Sequence, residues 1–428
     1  MKLNKLILIF VAVSVLILSI LIISKSTTAF QGTSASYTMD SKPDVVAHTN
    51  ATSTNFIQRF IGGIQAVARY VSSLFTGRFG ILEEGTMTLN ISSCQTFNIA
   101  NSVYILNQSV NSSATCFIVN ATNVTLDCNY FNITYAQTAN GYGVSGVGVN
   151  ESKVINCKIY QLSTSRSNSY ALYFKDGEKS SFINNTILTY GSATSNARNY
   201  GIYLLTHSNS SLDKNNVTTN GKQSYAIYLN TNSNSNNVTN NIINTTATEG
   251  TAVYSYRSSY GLIENNLIVT LGQTTYGVYL YFTNNTNVSY NNVTMHGTNA
   301  YSINVLSNTY SNKISSNKLH SYGSNSRGIS LNTDIFNTQI NSNSIFMNGT
   351  TNYGIYSTTR VNNSIITLNN FTVSGTSSFG IYLNSYSQIN NLINNNLTLT
   401  GIGSRGLYFY ANSNLNNIIN NSISAVYY

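Results

Sequence analysis

The chain has 428 residues, of which only 8% are charged, and it contains one Pro, no Trp and 32 Tyr. Because helical surfaces are rich in charged residues, this composition disfavours a helical protein and favours stacked polar strands. The formal net charge is +9, but the 21 Lys and Arg residues are spread singly along the chain. The sequence offers no basic run that follows a phosphate backbone, so nucleic acid is not an expected partner.

The first predicted element is a membrane segment over residues 1–24. Lys2 and Lys5 precede an uncharged apolar stretch from Leu6 to Ile23. About 18 apolar residues are enough to span a bilayer, whereas the apolar part of a cleaved signal peptide has only about 7 to 15. We therefore predict an uncleaved signal anchor that places the following residues outside the cell, because the lysines stay in the cytoplasm. A cleaved signal peptide, which would release a secreted protein, and a buried core helix are the alternatives.

Two further segments precede the main body. Residues 25–54 are rich in Ser, Thr and Ala, which predicts a flexible linker. Residues 55–76 carry apolar side chains at helical spacing and predict an amphipathic helix. Its expected role is to cap one end of a stack of strands, because such an end exposes unpaired edges and apolar core. Docking on a membrane surface through Arg59 and Arg69 is the alternative.

A five-residue motif returns along the chain, and its steps settle at 25 or 26 residues. Within it, Ile or Leu alternates with Tyr, which is typical of a strand with one buried face. An Asn-rich element follows each motif, as in NNVTNNII from Asn236. Because tight hairpins cannot join parallel strands of one sheet, repeats of this length have to coil. The motif begins at Tyr142, Tyr170, Tyr200, Tyr225, Thr251, Tyr276, Tyr301, Arg327, Tyr353, Phe379 and Arg405.

We therefore predict an all-β protein in which residues 77–428 form a right-handed parallel β-helix, a solenoid of about 13 rungs. The second motif position holds small residues, which predict a tight corner at Gly201, Ala226, Gly277, Gly354 and Gly380. One phase of the repeat holds Asn, whose amides are expected to form a hydrogen-bonded ladder from rung to rung. The predicted ladder contains Asn215, Asn240, Asn265, Asn291, Asn317, Asn341, Asn394 and Asn420.

The repeated spacing of Gly-Ile, Asn, Ile and Asn-Asn resembles the parallel β-helix repeat of the pectate-lyase-like superfamily, including its NosD-like repeats. The segment NVTLDCNYFNIT, from Asn123 to Thr134, also resembles the opening rung of many archaeal surface β-helix proteins of this type. The resemblance covers about residues 90–428. It implies the fold but says little about activity, because this repeat is mostly scaffold.

The four cysteines, Cys94, Cys116, Cys128 and Cys157, lie in the first predicted rungs. The repeat places Cys94 near Cys116 and Cys128 near Cys157, each pair about one rung apart. Neighbouring rungs are separated by about 4.8 Å, which a disulfide can bridge, so these pairings are expected outside the cell. Stacked buried thiols are the alternative.

Enzymes with this kind of fold need clustered carboxylates. Asp213 and Glu264 are predicted to be the only acids that share a phase of the repeat. They are two rungs apart, about 10 Å by strand spacing, which is the far edge for a carboxylate pair acting on a glycosidic bond. Solvated surface charge is the alternative, and we assign no catalytic residue.

The histidines do not suggest a metal site either. His48, His207, His296 and His320 do not have the spacing of metal ligands, with one another or with the cysteines. We therefore expect no metal and no cofactor.

The candidate site is aromatic. Aromatic surfaces with neighbouring amides commonly bind sugars, which predicts a carbohydrate-binding face. Like residues also stack on neighbouring strands without any ligand, and this structural explanation is the alternative. The fourth motif position holds outward-pointing tyrosines on five consecutive rungs, at Tyr173, Tyr203, Tyr228, Tyr254 and Tyr279.

Together these features predict a membrane-anchored extracellular β-helix protein with a structural, adhesive or glycan-binding role at the cell surface. Glycans or envelope proteins are its expected partners, and its oligomeric state stays open. The competing hypothesis is a carbohydrate-active enzyme, such as a polysaccharide lyase, an epimerase or a hydrolase, which rests on resemblance of fold.

Overall fold

A computed structural model describes residues 87–194 and 196–425. Every regular element in these residues is a β-strand. Within the same residues we find no helix with the length and apolar character that a membrane span requires. The predicted anchor at 1–24, the linker at 25–54 and the amphipathic helix at 55–76 lie outside the described residues.

The described chain coils through three parallel sheets, here called A, B and C, and each rung passes through B, then A, then C. Neighbouring strands of a sheet come from consecutive rungs, so that Tyr228 pairs with Tyr203 on one side and with Tyr254 on the other. The prediction of an all-β solenoid with about 13 rungs is confirmed.

The strands have the following bounds. Sheet A contains Met87–Ile91, Ser102–Leu106, Val124–Asp127, Lys153–Ile155, Ser181–Ile183, Ser211–Asp213, Asn237–Thr239, Leu262–Glu264, Asn287–Ser289, Lys313–Ser315, Gln339–Asn341, Ile365–Thr367, Asn391–Ile393 and Asn417–Ile419. Sheet B contains Thr96–Phe97, Phe117–Val119, Tyr142–Val147, Tyr170–Glu178, Ile202–Ser208, Tyr225–Asn230, Thr251–Tyr256, Tyr276–Tyr281, Tyr301–Leu306, Arg327–Asn332, Tyr353–Ser357, Phe379–Leu383 and Arg405–Phe409. Sheet C contains Val110–Asn111, Asn132–Thr134, Lys158–Gln161, Thr186–Tyr190, Asn216–Asn220, Ile242–Thr245, Leu267–Thr270, Asn292–Met295, Lys318–Ser321, Ser344–Met347, Asn370–Val373, Asn396–Leu399 and Ser422–Ala425. A small fourth sheet joins Thr309–Tyr310, Ile335–Phe336 and Val361–Asn362.

The core lies inside the coil and is built by alternation along each strand. In the strand Tyr225–Asn230, Ile227 and Leu229 are buried while Tyr228 between them is half-buried on the outer surface. The same pattern in successive rungs stacks Val, Ile and Leu into one continuous hydrophobic cluster. Each fully buried aliphatic side chain of this kind contributes about 1.5–3 kcal/mol, so the repeat itself supplies the main stabilising term.

An asparagine ladder runs along the corner between sheets A and C. The backbone N–H of Asn215 donates to Oδ1 of Asn241 in the next rung at 2.8 Å, and Nδ2 of Asn241 donates back to the carbonyl oxygen of Leu212 at 2.8 Å. Each amide therefore satisfies buried backbone groups of the neighbouring rungs. The ladder contains Asn185, Asn215, Asn241, Asn266, Asn291, Asn317, Asn343, Asn369, Asn395 and Asn421.

The predicted ladder was right in kind and wrong in several members. Asn240 and Asn265 have positive φ values of 56° and 55° and precede the true members Asn241 and Asn266 by one residue. The left-handed residue turns the chain at the corner, so its own side chain points away from the ladder. Asn394 and Asn420 also have positive φ values and precede the true members Asn395 and Asn421 by one residue. Asn341 is not a member either, because it is the last residue of a strand of sheet A.

The small residues of the second motif position lie within strands of sheet B or directly before one, and the prediction of a corner there is wrong. A Cβ on Gly201 would overlap Cγ1 of Val217 in sheet C and the carbonyl oxygen of Ala226 in the next rung. The position stays small because it faces the narrow interior, and not because the chain turns there.

Glycine is instead required at the corner between sheets C and B. A Cβ on Gly323 would overlap the carbonyl oxygen of Gly297 in the preceding rung, so only glycine lets these rungs stack at strand spacing. The same column contains Gly272, Gly297, Gly323, Gly349, Gly375 and Gly401.

Both expected disulfides are present near the first rungs. Cys94 is bonded to Cys116 and Cys128 to Cys157, each with a Cα–Cα distance of 4.7 Å. This distance matches the spacing of neighbouring rungs, so each disulfide links two consecutive coils. The disulfides indicate an extracellular or otherwise oxidising environment.

Candidate functional site

The tyrosines of the fourth motif position form a straight column on the outer surface of sheet B. Tyr203 is in register with Tyr173 on one side and with Tyr228 on the other. The rings of Tyr203 and Tyr228 are stacked with centroids 4.9 Å apart and planes 7° apart, and those of Tyr228 and Tyr254 are 4.9 Å and 4° apart. The column continues to Tyr279 at 4.7 Å. The structure therefore brings together all five predicted residues, outward and half-buried.

A second tyrosine column, which was not predicted from the sequence, lies beside the first. It is built from the first motif position, and the rings of Tyr200 and Tyr225 are stacked at 4.9 Å. The ring of Tyr200 meets the ring of Tyr228 edge to face at 5.3 Å, which joins the two columns. Thr251 interrupts this column between Tyr225 and Tyr276. The second column contains Tyr142, Tyr170, Tyr200, Tyr225, Tyr276 and Tyr301. We call the two columns together the tyrosine face.

The second column does not follow the simple alternation of inward and outward residues along a strand. Strict alternation from the outward-pointing Tyr228 predicts that Tyr225, three residues earlier, points to the inner face. Its side chain is instead only half-buried. Pairing in this strand joins Tyr225 to Thr251 and Ile227 to Val253 but skips the small residue between them. Two consecutive inward positions interrupt the alternation there. The signal that would have found this column is the repeated Tyr at the first motif position itself.

The tyrosine face is interrupted and then resumes. Asn304 and Ser330 occupy the fourth motif position of two rungs and are buried. The guanidinium of Arg327 lies 4.8 Å from the ring centroid of Tyr301 and 4.7 Å from that of Tyr356. This cation–π sandwich continues the aromatic surface across the break.

Burial keeps several phenols of the tyrosine face protonated at neutral pH by raising their pKa. Burial, together with neighbouring phenols, raises the pKa of Tyr173 and of Tyr276 to about 12. Burial also raises the pKa of Tyr203, although Nδ2 of Asn230 donates a hydrogen bond to its phenol oxygen at 2.9 Å. At neutral pH the hydroxyls of these three tyrosines are therefore both donors and acceptors.

The stacking of the tyrosine rings determines which part of each ring a ligand can contact. Because Tyr228 is stacked on Tyr203 on one side and on Tyr254 on the other, both faces of its ring are covered. A sugar therefore cannot stack on an open ring face inside the column. Its rings offer their edges and hydroxyls instead.

Asp213 and Glu264, the acids considered as a carboxylate pair in the sequence, both lie in sheet A. Asp213 and Glu264 share one column, separated by Thr239. Oδ1 of Asp213 accepts hydrogen bonds from Oγ1 of Thr239 and Nδ2 of Asn240, both at 2.7 Å. Oε1 of Glu264 accepts one from Oγ of Ser289, on the far side from Asp213, at 2.8 Å. Both carboxylates therefore form hydrogen bonds with side chains of neighbouring rungs.

A third acid belongs to the same column, so the prediction that only two share a phase is wrong. In the register of sheet A, Asp127 is the strand partner of Ile155 and Ile155 that of Ile183. Ile183 is in turn the strand partner of Asp213. Three strand spacings, about 14 Å, separate Asp127 from Asp213. In residues 87–194 and 196–425, no group of three or more His, Cys, Asp or Glu side chains is placed to hold a metal ion.

The family comparison agrees with this geometry. Residues 145–319 match the model of the family described as "Right handed beta helix region". The described chain is a right-handed parallel β-helix. The match covers the rungs that carry most of the tyrosine face, and its description gives a fold without an activity.

Solved structures similar to this β-helix include the A-module of a mannuronan C-5 epimerase from Azotobacter vinelandii, with 10% identity, 79% of this chain and 91% of that chain covered, and a TM-score of 0.47. A tailspike protein of E. coli bacteriophage HK620 in complex with a pentasaccharide has 12% identity, coverages of 81% and 74%, and a TM-score of 0.45. DFA-IIIase from Arthrobacter chlorophenolicus has 14% identity, coverages of 77% and 90%, and a TM-score of 0.43. No curated protein sequence matches significantly. With each of these TM-scores below 0.5, the fold assignment rests on strand pairing and on the family match.

Proposed function

We propose that this protein is a non-catalytic scaffold at the cell surface that binds glycans through the tyrosine face. The observation that carries the proposal is the regular row of neutral phenol hydroxyls, set at the spacing of consecutive rungs by ring stacks such as Tyr203 on Tyr228. Sugars are rich in hydroxyl groups, and a phenol can both donate to and accept from them.

The binding mode follows from the covered ring faces. A glycan lies along the column and contacts ring edges and hydroxyls, with amides such as that of Asn230 beside them. Each hydrogen bond contributes only about 0.5–1.5 kcal/mol net, so affinity depends on several contacts made together. Repetition of one contact type suits a polymeric ligand better than a single sugar.

The proposed location combines two kinds of support. The disulfides Cys94–Cys116 and Cys128–Cys157 are expected in an oxidising environment. The apolar segment predicted over residues 1–24 would hold the solenoid at the outer side of a membrane. Alkaline carbonate extraction of membranes tests the anchor, because an anchored chain stays in the pellet and a secreted one does not.

A glycan array tests the binding, with the full chain in detergent and soluble product measured from each polysaccharide. We expect binding without product release. The triple variant Tyr203→Phe, Tyr228→Phe, Tyr254→Phe keeps the stacked rings but removes three hydroxyls, so it should lose most of the signal. The matched control, Tyr260→Phe with Tyr290→Phe, alters two exposed tyrosines outside the columns and should bind like wild type.

Each other outcome counts against a stated part of the proposal. Product release would overturn the non-catalytic assignment. Full binding by the triple Phe variant would exclude the hydroxyls as the contact, and loss only in the corresponding Ala variant would assign it to the rings. Absence of binding by the wild type across the array would reject the glycan-binding function.

A further inference from the structure

The tyrosine face holds phenols of consecutive rungs in direct ring contact. The rings of Tyr200 and Tyr225 and the rings of Tyr203 and Tyr228 are both stacked at 4.9 Å, with interplanar angles of 4° and 7°. Strand register fixes these pairs, because Tyr203 and Tyr228 are direct partners in sheet B. The backbones of the two partners therefore stay one strand spacing apart, which keeps their rings within reach of each other.

We propose that the tyrosine face is a site of oxidative cross-linking, at which phenols of consecutive rungs couple to dityrosine. The co-reactant is a one-electron oxidant, such as a peroxidase intermediate formed with hydrogen peroxide. This modification does not depend on glycan binding.

The reaction balances as follows. Each of the two phenols loses one electron to the oxidant and one proton to solvent, which gives two phenoxyl radicals. The radicals join through the ring carbons next to the C–O bonds, forming one C–C bond. Each of these carbons then transfers its hydrogen, as a proton, to the oxygen of its own ring, and both rings become aromatic again. Two electrons and two protons leave in total.

Three features favour coupling within one chain. The partner is already in contact, so the second radical does not have to be found by diffusion. The rings of Tyr203, Tyr225 and Tyr228 are half-buried, which leaves their edges and hydroxyls open to a small oxidant while the neighbouring rungs keep them in place. Tyr200 is only 7% exposed, so the pair Tyr203–Tyr228 is the more accessible of the two. The hydrogen bond that Asn230 donates to the oxygen of Tyr203 can persist after the proton has left, because a phenoxyl oxygen still accepts.

Cross-linking would join rungs covalently along the side of the coil. The native disulfides join only early rungs, Cys94 to Cys116 and Cys128 to Cys157. Dityrosines at Tyr200–Tyr225 or Tyr203–Tyr228 would extend such bonds toward the middle of the solenoid. A covalent tie between neighbouring rungs restricts the unfolded chain and so stabilises the folded one.

Photo-oxidation with ruthenium tris-bipyridine and persulfate, on the dilute full chain in detergent, tests the proposal. Trypsin cleaves after Arg198, Lys214, Lys222 and Arg257, so Tyr200 and Tyr203 fall in the peptide 199–214. Tyr225 and Tyr228 fall in the peptide 223–257. We expect these two peptides linked to each other, with the mass of two hydrogen atoms lost, and dityrosine fluorescence from monomeric protein.

Matched variants separate the rung contact from general tyrosine oxidation. Tyr225→Phe with Tyr228→Phe keeps the ring stacks but removes the phenols of one rung, so the linked peptide pair should fall to background. Tyr260→Phe with Tyr290→Phe should leave it unchanged. These two tyrosines are 64% and 61% exposed and contact no other aromatic ring among the described residues.

Two results would overturn the proposal. In one, the folded wild type yields dityrosine only between separate chains, with a yield that rises with protein concentration. In the other, the linked pair of peptides persists in the variant with Tyr225→Phe and Tyr228→Phe. Circular dichroism of each variant before oxidation confirms that the sheets are intact.

Discussion

At the scale of single residues, the interior of the solenoid is not entirely apolar, and His207 is its clearest polar member. The side chain is fully buried, its Nε2 lies 3.0 Å from Oγ of Ser180, and its ring contacts that of Phe174 with centroids 5.8 Å apart. Its Nδ1 has no hydrogen-bond partner in the described residues. Burial lowers the pKa of His207 to about 4, against a smaller opposing effect of Glu178. The folded protein therefore holds this imidazole in its neutral form.

This burial predicts sensitivity to acid. Because the pKa is lower in the folded state than the ordinary value of about 6.5, the unfolded chain binds the proton more readily, and stability falls as the pH drops from about 6.5 to about 4. The effect on the free energy of unfolding is about 3 kcal/mol. Chemical denaturation across this pH range measures it.

The expected result is that His207→Gln, which cannot take up the proton, weakens the pH dependence relative to wild type. His296→Gln is the matched control, because His296 is exposed and stacks on Tyr322, and it should change little. The difference between variants is the informative quantity, since acid also reduces the stability provided by the carboxylates of Asp176 and Asp334, whose pKa values are lowered by hydrogen bonds from Thr206 and Arg360. Equal pH dependence in both variants would contradict the assignment.

At the scale of elements, the corners fix the spacing of the rungs. The asparagine ladder satisfies backbone groups between sheets A and C, and the glycine column lets the chain pass close to the preceding rung between sheets C and B. The asparagine ladder and the glycine column both depend on contacts between residues about 25 or 26 positions apart, as in Asn241 and Asn266. A corner residue therefore acts on two rungs at once.

Adding a Cβ at the glycine column should separate two rungs. We expect Gly323→Ala to cost about 2–4 kcal/mol, because the new atom would overlap the carbonyl oxygen of Gly297. Gly261→Ala is the matched control. Its Cβ would have its nearest neighbour, the carbonyl oxygen of Asn236, at 3.4 Å, so its effect should stay within about 1 kcal/mol. Urea denaturation compares the two, and similar losses would show that the close approach is not what requires glycine.

At the scale of the whole described solenoid, each rung contacts mainly the rung before it and the rung after it. Stability in such an array is close to a sum of intrinsic and nearest-neighbour terms, so a local change is expected to act locally. The two disulfides lie near the first rungs and leave the later ones without a covalent tie of this kind.

Removal of one disulfide tests this view. The double variant Cys128→Ser, Cys157→Ser opens a link across a sequence separation of 29 residues, and should cost about 3 kcal/mol. Hydrogen exchange should accelerate in the strands around residues 102–160 and stay unchanged beyond about residue 300. A uniform acceleration over all strands would show instead that the solenoid unfolds as one cooperative unit.

The sequence by itself determined the fold of this protein, because a fixed period and an alternation of apolar with polar residues leave a coil of parallel strands as the arrangement that buries one face. It also placed the cysteines of each pair one rung apart and aligned Tyr173, Tyr203, Tyr228, Tyr254 and Tyr279, since residues of equal phase become neighbours.

Only the tertiary structure decided how those neighbours meet. The period of the sequence predicts which residues share a phase of the repeat. It does not predict that Asn240 adopts the left-handed conformation, because of which Asn241 and not Asn240 belongs to the ladder. An interruption of the alternation puts Tyr225 outward beside Tyr228. Stacking at strand spacing then covers the ring faces and leaves hydroxyls and edges, a property of side-chain packing in three dimensions that no linear pattern contains.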